Sequence, residues 1–355
     1  MATSEPQPFT ISVPEADLAL LHEKLDLTRF PDELDDAAWN YGVPLANVKR
    51  LIARWKDGYD WRAAEAGINE IPQFTRDVEV EGFGTLNVHY VHKKSEVKDA
   101  IPLVFVHGWP GHFLEVKKLL PLLTSASPDH PNFHVVAPKQ GFTVAQYAET
   151  CHKLMLALGY SEYGGDWGSY ITRTMAAMYG DQIVKAWHTN YAAVVSPPSF
   201  SSFPRLWLQH LLTPYTEVER ACLKRIQLFM QKGRGYSAEQ NTQPQTIGYS
   251  LADSPAGCSR WIYESSCSVL TWISIYWFSR AGPAASARIY YEQAKVREDP
   301  NHSELIRPPK TYSEHGNGGH FAAHEKPDEL GADLRAMFGK GGPAFGVVAG
   351  KAGYD

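Results

Sequence analysis

Residues 102–106 (PLVFV) form an unbroken apolar run, and residues 133–137 (FHVVA) form a second that only His134 interrupts. Strands of this composition have no face to show to water, which predicts a sheet covered on both sides, the usual situation of parallel strands. A helix-length stretch, residues 113–123, lies between the two runs and completes a β-α-β unit. The fold class that follows is α/β. Residues 74–80 and 86–91 instead alternate apolar and polar side chains about Gly82-Phe83-Gly84, the pattern of a hairpin with one wet face. After the second run, the spacing predicts a helix over 144–158, a glycine-rich turn at 164–168, a helix over 169–178 and a strand over 183–189.

The flanking regions follow a helical rhythm. Leu18, Leu21 and Leu25, then Val48, Leu51, Ile52 and Trp55, recur three and four residues apart, so residues 1–73 read as an N-terminal helical arm. Residues 74–193 carry the first part of the sheet. Residues 194–291 are rich in Trp, Tyr and Phe, broken by prolines and without strand alternation, and read as a helical lid inserted between sheet elements. Residues 292–355 return to the core, and their glycine-rich end (GKGGPAFGVVAGKAGYD) is expected to pack loosely on the surface.

Composition narrows the function classes. A net charge of -5 gives no long-range attraction for nucleic acid. The longest apolar run, residues 269–278, is half the length of a membrane span. The opening MATSEPQP has neither the basic nor the apolar region of a signal peptide, and a cytoplasmic setting is expected. Cys151, Cys222, Cys258 and Cys267 are scattered without metal-ligand spacing, so neither a disulfide framework nor a metal or other cofactor is expected. A homodimer is compatible with this composition.

Three turns carry chemistry. Gly164-Gly165-Asp166-Trp167-Gly168 fits G-x-nucleophile-x-G, in which small flanking residues let a strand-to-helix turn lift one side chain above the sheet; here that side chain is Asp. His107-Gly108-Trp109-Pro110-Gly111 follows the strand PLVFV and places backbone N–H groups at the carboxyl end of the sheet. Far downstream, Gly318-Gly319-His320-Phe321 sets a histidine on a permissive loop before the last helix, giving the order nucleophile then histidine.

With these turns the sequence resembles the α/β-hydrolase superfamily, and within it the microsomal-type epoxide hydrolases, especially their soluble fungal relatives. HGWPG, GGDWGS and GGHFAAHEKPDEL are similar to that family's motifs, and Pro8-Phe9-Thr10-Ile11, Tyr59-Asp60-Trp61-Arg62 and Ile71-Pro72-Gln73-Phe74 resemble its N-terminal region. The resemblance implies an α/β-hydrolase fold and conversion of a hydrophobic epoxide to a vicinal diol. Asp166 would attack an epoxide carbon to leave an alkyl ester, and His320 would activate water against that ester. The N–H groups of Trp109 and Trp167 would stabilise the oxyanion. Two lid tyrosines would protonate the departing alkoxide: Tyr236, in GRGY before QPQTIG, and Tyr290, in RIYYE, with Tyr291 the one-residue-slip alternative.

The chain departs from the family's pattern in places. The segment expected to carry the triad acid passes from Leu305-Ile306-Arg307-Pro308-Pro309 straight to Lys310-Thr311-Tyr312, leaving Glu298, Asp299, Glu304 and Glu314 as the carboxylates there, with Asn190 uncharged at an alternative position. Only Tyr160-Ser161-Glu162-Tyr163 precede the elbow, so the nucleophile's strand is expected to be truncated and parts of the core sheet missing. Two other readings stay open. Asp166-Trp167 would also suit a haloalkane dehalogenase, although a halide needs no proton donor, and a non-catalytic small-molecule-binding descendant would explain the lost acid.

Overall fold

The computed structural model describes residues 4–138, 144–161, 163–166, 168–180, 183–190, 199–201, 203–262, 268–298, 312–319 and 321–354; of 163–166, 169, 260–262, 268 and 296–298 it describes the backbone. Seven strands form one sheet: β1 (Gln7–Pro8), β2 (Gln73–Val80), β3 (Gly84–Lys93), β4 (Ile101–Phe105), β5 (Phe133–Pro138), β6 (Tyr163–Asp166) and β7 (Val184–His188). Their order is β1-β2-β3-β5-β4-β6-β7. The β1, β2, β3 and β5 neighbours run antiparallel, and β5, β4, β6 and β7 are parallel.

The two apolar runs occupy the middle of the sheet, as their composition demands. All five residues of β4 are buried, and they alternate between two cores. Leu103 and Phe105, with Val135 and Ala137 of β5, meet Phe113, Leu119 and the C-terminal helix Pro327–Phe338 on one face. Val104, Val106 and Val136 meet helices Val144–Ala157 and Ser169–Tyr179 on the other. Each such buried side chain stabilises the fold by roughly 1.5–3 kcal/mol.

Two sequence expectations are corrected. Residues 113–123 are not one helix: a 3-10 turn, Phe113–Lys118, precedes an α-helix, Leu119–Thr124. Starting the α-helix at Leu119 puts Pro121 in its first turn, where a missing N–H costs no helical bond. The glycine-rich tail does not lie loosely: Ala344 and Val348 are buried in the first core, and the Asn132 N–H donates to Gly353 O at 2.8 Å. An ideal Cβ on Gly353, whose φ is +81°, would fall 2.7 Å from Pro131 Cβ, so glycine is what permits that approach. Among the described residues no strand follows β7, and residues 299–311, which come after the helical segment 194–291, lie outside them.

The N-terminal arm contains helices Glu15–Asp26, Leu45–Asp57 and Trp61–Asn69. Its leading segment is strapped down by two side chains. Glu65 Oε1 accepts from Val13 N at 2.7 Å and Trp61 Nε1 at 3.1 Å, and Asn69 pairs with both the N–H and the carbonyl of Ile11. Burial alone would raise the Glu65 pKa, but the hydrogen bonds from Val13, Arg62 and Trp61 outweigh it, and the carboxyl is held below its ordinary value.

Candidate active site

β4 and β6 lie side by side in parallel, with Phe105 opposite Asp166, so their carboxyl ends open at the same level of the sheet. The HGWPG turn leaves β4 there, and Asp166 is the last residue of β6. Two residues later Gly168 caps helix Ser169–Tyr179 with φ +78°. A Cβ on Gly168 would lie 2.9 Å from Val106 Cγ1 and 3.1 Å from Val106 O. The elbow is therefore pressed against the exit of β4, which only glycine allows. The nucleophile's strand, expected to be truncated, has four residues and pairs on both sides.

The structure brings together Trp109, Tyr236 and Tyr290. Tyr236 opens helix Gly235–Thr242, Tyr290 lies in the first turn of helix Arg288–Glu298, and these helices pack on each other. The Tyr236 ring stacks on Trp109 with centroids 5.2 Å apart and planes at 17°. Tyr290 meets the same indole edge-on at 5.2 Å and meets Tyr236 at 5.9 Å. Tyr291, the one-residue-slip alternative, turns elsewhere, with Lys295 Nζ 4.4 Å above its ring.

Residues that sequence reasoning did not assign hold this turn in place. From helix Ser268–Trp277, Trp272 Nε1 donates to Pro110 O at 3.0 Å and Tyr276 Oη donates to Gly111 O at 2.7 Å. Their i, i+4 spacing is the available signal, because it puts both on one helix face. Glu115 lies beneath the turn, fully buried, and its carboxyl fills the space a side chain at Gly111 would take: an ideal Cβ there would be 1.5 Å from Glu115 Oε1. Burial pushes the Glu115 pKa well above the ordinary carboxylate range, and Tyr276 is likewise pushed up by its own burial and by Glu115.

His320 and Trp167 lie outside the described residues. The neighbours of His320 are tied to the turn: the Phe321 ring packs on Trp272 at 4.9 Å, and Phe321 N donates to Glu325 Oε1 at 3.1 Å. Of the carboxylates considered for the triad, Asp299 and Glu304 also lie outside the described residues, Glu298 has its backbone described, and Glu314 and Asn190 are exposed.

Residues 6–116 match the family described as Epoxide hydrolase N terminus. A Stigmatella aurantiaca (strain DW4/3-1) protein, whose description is that of an epoxide hydrolase, is 34% identical over 388 positions, taking in 93% of this chain and 84% of its own length. The chain belongs to the epoxide hydrolase family. Epoxide hydrolase 1 of Sus scrofa is 29% identical, with 94% of this chain and 88% of that protein covered. The solved Aspergillus niger epoxide hydrolase matches with TM-score 0.76 and 27% identity, over 94% of this chain and 96% of that one. The α/β-hydrolase fold of the family is thus this chain's fold. The 388 aligned positions compare with about 330 residues of this chain, 93% of 355, so dozens of positions in the Stigmatella relative stand opposite gaps.

Proposed function

We propose that this chain hydrolyses a hydrophobic epoxide to a vicinal diol through an ester on Asp166. In this reading a carboxylate oxygen of Asp166 attacks an epoxide carbon, the ring C–O bond breaks, and Tyr236 or Tyr290 gives its phenolic proton to the alkoxide. His320 then takes a proton from water as the oxygen attacks the ester carbonyl, with the Trp109 and Trp167 N–H groups stabilising the oxyanion. Collapse breaks the ester C–O bond, the departing diol oxygen takes the proton of the added hydroxyl so that Asp166 is left as a carboxylate, and the imidazolium returns its proton to the tyrosinate through solvent. Residues 194–291 act as the lid that supplies the acids, while 74–193 and 292–355 supply nucleophile and base. A reducing, cytoplasmic setting fits the free thiols of Cys151 and Cys258.

The observation that carries the reading is the convergence of both tyrosine rings on Trp109, one strand over from Asp166. Two phenols at one place serve a leaving group that needs a proton, and halide needs none. Incubation with styrene oxide and with a chloroalkane tests this. Diol from the first without halide from the second is expected; halide release alone would replace this reading with dehalogenation. The gaps against the Stigmatella relative favour one second reading, a descendant that binds epoxides without turnover. Ligand-induced stabilisation with neither adduct nor diol would support it.

A further inference from the structure

Glu325 touches the residues on both sides of His320 in the chain. Its Oε1 accepts from Phe321 N at 3.1 Å, and an ideal Cβ on Gly319 would fall 2.3 Å from its Oε2 and 2.8 Å from its Oε1. Consecutive Cα atoms are about 3.8 Å apart, so a residue whose two neighbours are both fixed has its own Cα confined to a short arc between them. Phe321 is the N-cap of helix Ala322–Glu325, and a first-turn carboxylate that accepts from an N-cap N–H is an ordinary way to start a helix. That role accounts for Oε1 alone. It gives no reason for the same carboxyl to press on Gly319, where a side chain would push it away.

The loop so held is also fixed to the HGWPG turn. The Phe321 ring packs on Trp272 at 4.9 Å and the His324 ring at 5.5 Å, while Trp272 Nε1 donates to Pro110 O at 3.0 Å. Lys118 Nζ donates to His324 O at 2.8 Å, and Ala323 is buried in the first core with Leu330 and Leu334. A continuous path of contacts therefore runs from Pro110 through Trp272, Phe321 and Glu325 to Gly319. The two half-reactions make different demands on it. Attack by a carboxylate on an epoxide carbon needs no histidine, whereas hydrolysis of the ester needs a base and an oxyanion donor placed about one tetrahedral carbon.

Resting on the ester mechanism above, we propose that Glu325 is a positioning residue for ester hydrolysis, holding both neighbours of His320 so that this base and the Trp109 N–H address one ester carbonyl. Rapid-quench intact mass spectrometry of the full chain with styrene oxide reads adduct formation and adduct decay separately. Glu325→Ala should form the adduct at the parent's rate and lose it roughly tenfold more slowly, the scale of a sub-ångström displacement. Glu325→Gln, whose amide oxygen still accepts from Phe321 N, should recover most of the decay rate, and Glu325→Asp, one methylene shorter, should not. In a His320→Ala background Glu325→Ala should add nothing further. Glu325 is exposed, so circular dichroism spectra should stay unchanged, and if Glu325→Ala does not fold, the Asp and Gln variants make the same comparison. Decay that depends on His320 but runs equally fast in the parent and in Glu325→Ala or Glu325→Asp would overturn this proposal alone, as would equal slowing of adduct formation and decay. An absent adduct, or decay unchanged by His320→Ala, would overturn the ester mechanism and this proposal with it.

Discussion

Tyr236 and Tyr290 share the Trp109 ring, so removing a hydroxyl and removing a ring have separable consequences. The ring contacts stabilise by about 0.5–1.5 kcal/mol each and survive a Tyr→Phe change. Each single Phe variant should slow ring opening by a few decades at most, since the other phenol still donates, and Tyr236→Phe/Tyr290→Phe together should be nearly inactive at unchanged melting temperature. A double variant as fast as the parent would take both hydroxyls out of the mechanism. Glu115 makes a different prediction. Its folded pKa is raised, so the folded state holds a proton the unfolded chain releases, and stability is lost as pH rises from the ordinary glutamate value toward the folded one. The groups facing it are Tyr276 from the lid helix and His112 from its own turn. Glu115→Gln should match the parent near pH 4 and become more stable by about 1.4 kcal/mol per pH unit above that, read by denaturant unfolding. A constant difference across pH would mean that the carboxyl is not held neutral.

At the level of elements, legibility followed burial on both faces. β4 and β5 could be read because all their side chains but the part-buried His134 are apolar. β6, with the sequence Tyr-Gly-Gly-Asp, carries no pattern, and its strand state comes from ladder bonds to β4 and β7. The tail departs for the opposite reason: its glycines read as a loose end, but one of them, Gly353, permits close packing against Pro131 and Asn132. The motifs name Tyr236 and Tyr290, which meet at Trp109, whereas the contacts that Trp272, Tyr276 and Glu115 make with the turn leave no more trace in the sequence than the i, i+4 spacing of the first two. The N-terminal arm depends on Glu65 in a comparable way. Glu65→Ala leaves Val13 N and Trp61 Nε1 without their acceptor and should cost about 1–3 kcal/mol per group so exposed to desolvation. Because the folded Glu65 pKa is depressed, its contribution is present above the ordinary glutamate pKa and fades as pH falls through the folded value. Parent and Glu65→Ala should therefore converge in stability at acid pH; a gap that persists there would point to packing alone.

Across the whole molecule, the described sheet runs from the N-terminal strand β1 to β7. The turn, elbow and lid clamps sit at the carboxyl ends of β4 and β6, while β7 is the last strand among the described residues and the aligned relatives are longer. In the proposed reading, attack on the epoxide draws on Asp166 and the two phenols, but ester hydrolysis also needs an imidazole held in one tautomer by a carboxylate. The two half-reactions should uncouple, with ester forming quickly and diol leaving slowly. Rapid-quench intact mass spectrometry after mixing with styrene oxide tests this most directly. The account predicts a near-stoichiometric adduct that maps to the peptide carrying Asp166 and is absent from Asp166→Asn. An adduct on another residue, or diol production that survives Asp166→Asn, would contradict it.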